Sequence, residues 1–156
     1  MFKVNIPGHG LLLLEHLVLD FNGTLAIDGK VKTDVINSLS TLSKYFHIHI
    51  LTADTHNNVK QYFSNTDYKI QIISSHEQVK AKLNFIHQLD PNKCVAIGNG
   101  YNDYLMLQKA KLGIAVCQEE GLYSKTLLAA DIIVPHILDA FHLFIHPLRL
   151  IATLRN

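Results

Sequence analysis

Leu17-Val18-Leu19-Asp20-Phe21-Asn22-Gly23-Thr24-Leu25 decides how the chain is read. An unbroken apolar run delivers one carboxylate to a glycine turn, and a hydroxyl follows four residues after the acid. A run apolar on both faces is what a strand inside a covered parallel sheet requires. In such sheets chemistry gathers at the carboxyl ends of the strands, where Asp20 would sit. Asp-x-x-Gly-Thr has a second reading, since Asp and Gly are ordinary turn residues. What the rest of the chain places beside Asp20 decides between a nucleophile and a turn aspartate.

Outward from this stretch, apolar strands alternate with amphipathic helices. Residues 2–6 alternate as a strand does, Pro7-Gly8-His9-Gly10 marks a turn, and residues 11–21 read as one longer strand. An N-terminal β-hairpin would therefore feed the central strand. Asp28-Gly29, between two short apolar runs, predicts a small β-flap directly after Asp20. Thr33 or Asp34 can cap a helix carrying Val35, Leu39, Leu42 and Phe46. Further strands are expected over residues 47–51, 68–73, 94–97, 112–116 and 132–135. Helices are expected over residues 55–63, along the Val79, Leu83, Ile86 and Leu89 face, through Leu105 and Leu107, and over 122–130. A last helix over 137–154 is broken by Pro147. The alternation predicts an α/β fold, a Rossmann-like three-layer αβα sandwich with a central parallel sheet, in one domain spanning 1–156.

Composition narrows the function classes. The 156 residues suffice for one sizeable core. Fourteen basic residues against 13 acidic ones leave a net charge of +1, which gives no footprint for nucleic acid or an anionic membrane. Residues 11–14 are too short an apolar run to span a bilayer, and His142, His146, Pro147 and Arg149 interrupt the apolar tail. Cys94 and Cys117 lie in apolar, strand-like runs and read as buried free thiols. A cytoplasmic protein is expected.

Four features fall at expected strand ends or helix starts: Asp20 with Gly23-Thr24, Thr52, Lys80 or Lys82, and Gly98-Asn99-Gly100-Tyr101-Asn102-Asp103. Their chemistry suits a phosphoryl group. A carboxylate can attack phosphorus and form an acyl phosphate. A hydroxyl, backbone N–H groups and an ammonium can hold phosphoryl oxygens. A second carboxylate, Asp103, can help hold Mg²⁺, an oxygen-seeking ion that offsets repulsion between anionic nucleophile and anionic substrate.

With these residues in order, the chain resembles the haloacid dehalogenase-like superfamily. Within it, the likeness is to small soluble members similar to the phosphorylation domain of P-type ATPases. Asp20-Phe21-Asn22-Gly23-Thr24 matches the first motif, Thr52 the second and Gly98-Asn99-Gly100-Tyr101-Asn102-Asp103 the fourth. Leu51-Thr52-Ala53-Asp54 is close to the LTGD form of those ATPases. For the third motif, Lys82 is favoured over Lys80, because Phe85, Ile86 and Leu89 follow it in the apolar phase seen after the family's lysine.

The resemblance implies a Mg²⁺-dependent phosphohydrolase acting through an aspartyl phosphate. Asp20, Asn22, Thr52 and Lys82 stand at its catalytic positions. Gly23, Thr24, Thr52, Ala53 and Lys82 would bind phosphate, and Asp20, Asn22, Asn99 and Asp103 would hold the metal. Two departures matter. The family phosphatases carry a general acid/base Asp where this chain has Asn22. An amide cannot exchange that proton, and losing such a group costs roughly 10²–10⁴-fold in rate. P-type ATPases also lack this Asp, which implies a longer-lived aspartyl phosphate. Asn99 replaces another usual Asp, so the metal site has fewer charges. The alternative implied is an impaired phosphate- or metal-binding regulatory module.

The family's cap domains do not fit here. Asp20 and Thr52 are 32 residues apart, Thr52 and Lys82 are 30 apart, and predicted elements fill both intervals. Capless relatives act on large substrates or oligomerise over the site, which implies a small or macromolecular phosphorylated substrate and a homo-oligomer. Among remaining residues, His142 and His146 share a helix face without a third ligand, and His47 and His49 read as polar strand positions. Tyr101 flanks the site mouth or packs locally, and Asp54 reads as a helix cap.

Overall fold

The buried apolar run opens the central sheet of the computed structural model, which describes residues 1–53 and 58–156. In chain order the elements are β1 (Phe2–Ile6), β2 (Gly10–Leu14), β3 (His16–Asp20), α1 (Thr33–Leu42), β4 (His47–Thr52), α2 (Asn58–Tyr62), β5 (Lys69–Ile72), α3 (Gln78–Gln88), β6 (Cys94–Gly98), α4 (Tyr104–Lys109), β7 (Leu112–Val116), α5 (Ser124–Ala129), β8 (Ile132–Val134), α6 (Ile137–Ile145) and α7 (Pro147–Leu154). Six strands form one parallel sheet in the order β5-β4-β3-β6-β7-β8. The expected α/β sandwich is the observed fold, and the described residues between the site-bearing segments form no cap domain. Asp54 and the first residues of the helix expected over 55–63 lie outside the described residues.

Side chains of β3 alternate between two cores. Leu17 and Leu19 pack with α1, α6 and the N-terminal hairpin, while Val18 packs with Ile86, Met106 and Leu107 on the opposite face. Leu17, Val18 and Leu19 have no accessible surface. Burying each such side chain is worth about 1.5–3 kcal/mol, so β3 is anchored from both sides.

β4 pairs with one edge of β3 and β6 with the other. The chain leaves β3 towards β4 and later returns on the far side, so the strand order reverses between β3 and β6. Ligands in open α/β sheets bind in the crevice at the carboxyl ends of such strands. Asp20 ends β3 and Gly98 ends β6, which puts both at the lip of that crevice.

Two expectations need correction. Residues 11–21 do not form one strand. The chain changes sheets at Glu15, whose N–H donates to the Lys93 carbonyl (2.9 Å) and whose carbonyl accepts from the His47 N–H (2.8 Å). β2 thus stays with β1 in a separate antiparallel hairpin. Cys117 lies just beyond the end of β7 and is exposed, whereas Cys94 is buried as expected.

The flap forms as read. Asp28 and Gly29 have φ of 49° and 72°, the positive pair a tight hairpin turn needs, and Ile27 and Lys30 exchange backbone hydrogen bonds of 3.0 Å. The tail breaks at Pro147, and α6 and α7 meet at 101°. Among the described residues, no single helix is long and apolar enough to cross a membrane. Phe144 of α6 stacks edge-on against Phe2 and Phe46, tying hairpin and tail into one layer.

Candidate active site

Asp20 is delivered to the crevice by β3 and is 6% exposed. Its Oδ1 accepts from Lys82 Nζ at 2.5 Å, and the same ammonium donates to Asp103 Oδ1 at 2.6 Å. Lys82 stands on the buried face of α3 with Ile86, one turn from the helix start, and its side chain is 1% exposed. Lys80 points elsewhere: it pairs with Glu77 at 2.7 Å, and both side chains are 71% exposed. The apolar phase that favoured Lys82 therefore selects the lysine that reaches Asp20.

Asp103 is fixed from its other oxygen. Its Oδ2 accepts from the backbone N–H groups of Asn99 (3.0 Å) and Gly100 (2.9 Å), closing the loop after β6 on itself. Gly98 is required there, since a Cβ would collide with the Asp103 carboxylate. The Thr24 hydroxyl lies between Asp20 Oδ2 (3.2 Å) and Asn99 Oδ1 (3.1 Å). Asn99 is held by Nδ2 donating to the Gly121 carbonyl at 3.0 Å. Gly23 has φ +77°, and any Cβ on it would strike the Asn99 amide.

The remaining expected residues divide. Thr52, at the end of β4, is buried, and Ala53 follows it half-buried. Asn22 is exposed at the rim. The N–H groups of Gly23 and Thr24 already donate within the turn, to the carbonyls of Ala26 (2.8 Å) and Phe21 (3.3 Å). In this conformation those two amides are used by the turn and not offered to a ligand. Tyr101 is 57% exposed and lines an open groove of about 770 Å³ with Gln78, Lys80, Asn102 and Tyr104.

Charge in the site is unbalanced. Two buried carboxylates share one ammonium. Burial and the nearby Asp103 carboxylate push Asp20 up to about 7, against the pull of Lys82 and Thr24. Burial opposes the charge on Lys82, yet Asp20 and Asp103 together raise it to about 12. This leaves an excess negative charge beside all-oxygen donors, which fits a hard divalent cation. Two carboxylates are enough for Mg²⁺, which keeps several waters. Among the described residues, no group of three or more His, Cys, Asp or Glu is placed to hold a metal, and the rings of His142 and His146 lie 5.6 Å apart.

One contact residue has no counterpart in the sequence reading. Gln118, two residues beyond the end of β7, donates to the carbonyls of Gly23 and Thr24. Its position past a strand's carboxyl end was the available signal, but a lone Gln in a loop names no chemistry.

A model of the haloacid dehalogenase-like hydrolase family matches residues 21–122. An uncharacterized protein of Methanocaldococcus jannaschii is 49% identical over 80 residues, 49% of this chain and 86% of that protein. Among solved structures, the fold is similar to 3-deoxy-D-manno-octulosonate 8-phosphate phosphatase from Moraxella catarrhalis in complex with magnesium ion, phosphate ion and a KDO molecule. The TM-score is 0.65 at 17% identity, covering 85% of this chain and 86% of that one. It is also similar to part of a zinc-transporting PIB-type ATPase. There the TM-score is 0.58 at 21% identity, covering 79% of this chain and 20% of the ATPase.

Proposed function

The chain belongs to the haloacid dehalogenase-like hydrolase family, and we propose that it is a phosphohydrolase working through an aspartyl phosphate on Asp20, with Mg²⁺ as cofactor. One observation carries this reading: Lys82 Nζ bridges Asp20 and Asp103 at the crevice where β3 and β6 diverge. One ammonium and one hydroxyl hold this buried carboxylate in place, and Lys82 favours the ionised form in which it can attack. The magnesium and phosphate ions in the Moraxella relative's structure support the same chemistry.

Asp20 attacks phosphorus, a P–O bond forms to its carboxylate, and the leaving oxygen departs with the bonding pair. The Thr52 hydroxyl, the Ala53 N–H and Lys82 hold the phosphoryl oxygens, since the Gly23 and Thr24 amides serve the turn. Asp20, Asp103, Asn99 and the Asn22 carbonyl would hold Mg²⁺, which supplies positive charge between anionic nucleophile and anionic substrate. Water then cleaves the aspartyl phosphate and restores Asp20. Asn22 can neither donate nor take up the proton in either step, so turnover is slow. The substrate is a phosphorylated small molecule or macromolecule.

Asn22 also favours a second reading, a phosphate- and metal-binding regulatory module without turnover. The assay is phosphate release from p-nitrophenyl phosphate or acetyl phosphate with Mg²⁺, beside Asp20→Asn and Asn22→Asp. The proposal expects activity in the wild type, none in Asp20→Asn and about tenfold or more gain in Asn22→Asp. Equal activity with and without Asp20 contradicts it, and no activity in any of the three favours the binding module.

A further inference from the structure

Gln118 connects three segments through one amide. Its Nε2 donates to the carbonyls of Gly23 (3.1 Å) and Thr24 (2.9 Å), and its Oε1 accepts from the N–H of Ile137 (2.9 Å). Ile137 is the first residue of α6, and His136 before it provides no side-chain cap. Gln118 thus satisfies a helix-start donor and two turn carbonyls together.

The turn it holds is the one that orients Asp20. Gly23 and Thr24 follow the nucleophile by three and four residues, and Thr24 Oγ1 contacts Asp20 Oδ2. With Gly23 at φ +77°, this turn has more conformational freedom to lose than any side-chain-bearing sequence. Neighbouring residues extend the same tie. Glu120 Oε1 accepts from the Asp28 N–H at the flap (2.9 Å), and the Gly121 carbonyl accepts from Asn99 Nδ2 (3.0 Å). Residues 118–121 therefore strap the turn, the flap and Asn99 to the sheet's carboxyl edge.

We propose that Gln118 is a positioning residue for Asp20, acting through the Gly23–Thr24 carbonyls to keep the Thr24 hydroxyl on the nucleophile. The inference rests on the phosphohydrolase reading. Without the amide the turn relaxes, Thr24 leaves, and the Asp20 carboxylate turns about its own axis under the pull of Lys82 alone. Misplacing a reacting group by about 1 Å can cost about 10²-fold. The effect belongs to the chemical step, because Thr52 and Lys82 hold the phosphoryl group from other elements.

Two variants separate this role from helix capping. Gln118→Leu removes all three hydrogen bonds. Gln118→Glu keeps the acceptor for Ile137 and loses both donors to the turn. With p-nitrophenyl phosphate and saturating Mg²⁺, both variants are expected to lose about tenfold or more in kcat with KM within about twofold. Amide hydrogen exchange at residues 23–26 should rise about tenfold in both, with exchange in β3 and β6 unchanged. Wild-type turnover in Gln118→Glu, or a loss lying in KM alone, overturns the proposal. So does exchange that is unchanged at 23–26 or faster throughout the chain. Should the wild type itself show no turnover, the phosphohydrolase reading fails separately, and the exchange measurement still decides whether Gln118 holds the turn.

Discussion

Lys80 and Lys82 are two residues apart on α3 and have opposite fates. Lys82 is buried between two carboxylates, while Lys80 pairs in solvent with Glu77. The difference was legible because a helix turns 100° per residue, and Phe85, Ile86 and Leu89 define which side is covered. What Lys82 does there was less legible. Its bridge to Asp103 joins two motifs through space, and no periodicity encodes it. Thr24 is a sharper case: the resemblance puts it at a phosphate-contact position, and nothing in the sequence shows that its hydroxyl also lies on Asp20 and Asn99, the latter 75 residues away. Replacing Lys82 by Met leaves two buried carboxylates uncompensated. The expected loss is about 3 kcal/mol of stability together with turnover, whereas Lys80→Met, in solvent, is expected to leave stability unchanged. Urea unfolding midpoints check both, and equal midpoints would contradict the buried bridge.

At the scale of elements, β4 shows what a pattern cannot say. His47 and His49 share one face and read alike as polar strand positions. The structure leaves His47 exposed at the strand's start but buries His49 to 1% under α3, where its ring meets Phe85 edge-on. His49 Nε2 lies 3.1 Å from His16 Nδ1, and its own Nδ1 has no hydrogen-bond partner among the described residues. Burial first, then His16, Lys69 and His47, hold His49 down at about 4 from an ordinary 6.5. Between those values the unfolded chain binds a proton that the folded chain refuses. The His49 contribution to stability is therefore level above pH 6.5 and falls as pH drops towards 4, opposite in sign to that of Asp20, whose raised value makes the folded chain the better proton binder below about 7. His49→Leu should make stability hold up better on acidification between pH 6.5 and 4 than in the parent, and an unaltered slope would show that His49 makes no such contribution. The break at Glu15 was hidden for a related reason: apolar residues continue on both sides of it, and only its bonds to Lys93 and His47 mark the change of sheet.

For the whole molecule, alternation implied parallel strands, but not the order β5-β4-β3-β6-β7-β8. Order comes from which faces pack, and that is settled only when the helices are in place. It matters because it makes β3 and β6 neighbours and so brings Asp20 and Asp103 to one ammonium. A cation that binds this excess charge binds the folded chain and not the unfolded one, so Mg²⁺ should raise the melting temperature in a concentration-dependent way. Asp103→Asn removes one of the two charges and should abolish most of the shift. Equal shifts in the two proteins would place the metal elsewhere.

An aspartyl-phosphate mechanism requires that Asp20 become covalently phosphorylated. The direct measurement is mass spectrometry of the Asp20-containing peptide after incubation with acetyl phosphate and Mg²⁺ and an acid quench. The expected result is the added mass of one phosphoryl group on Asp20, lost on hydroxylamine treatment and absent from Asp20→Asn. Because Asn22 cannot assist hydrolysis, the adduct should accumulate in the wild type and decline in Asn22→Asp. Turnover of substrate with no adduct on Asp20, or with the adduct on another residue, would rule out Asp20 as the nucleophile.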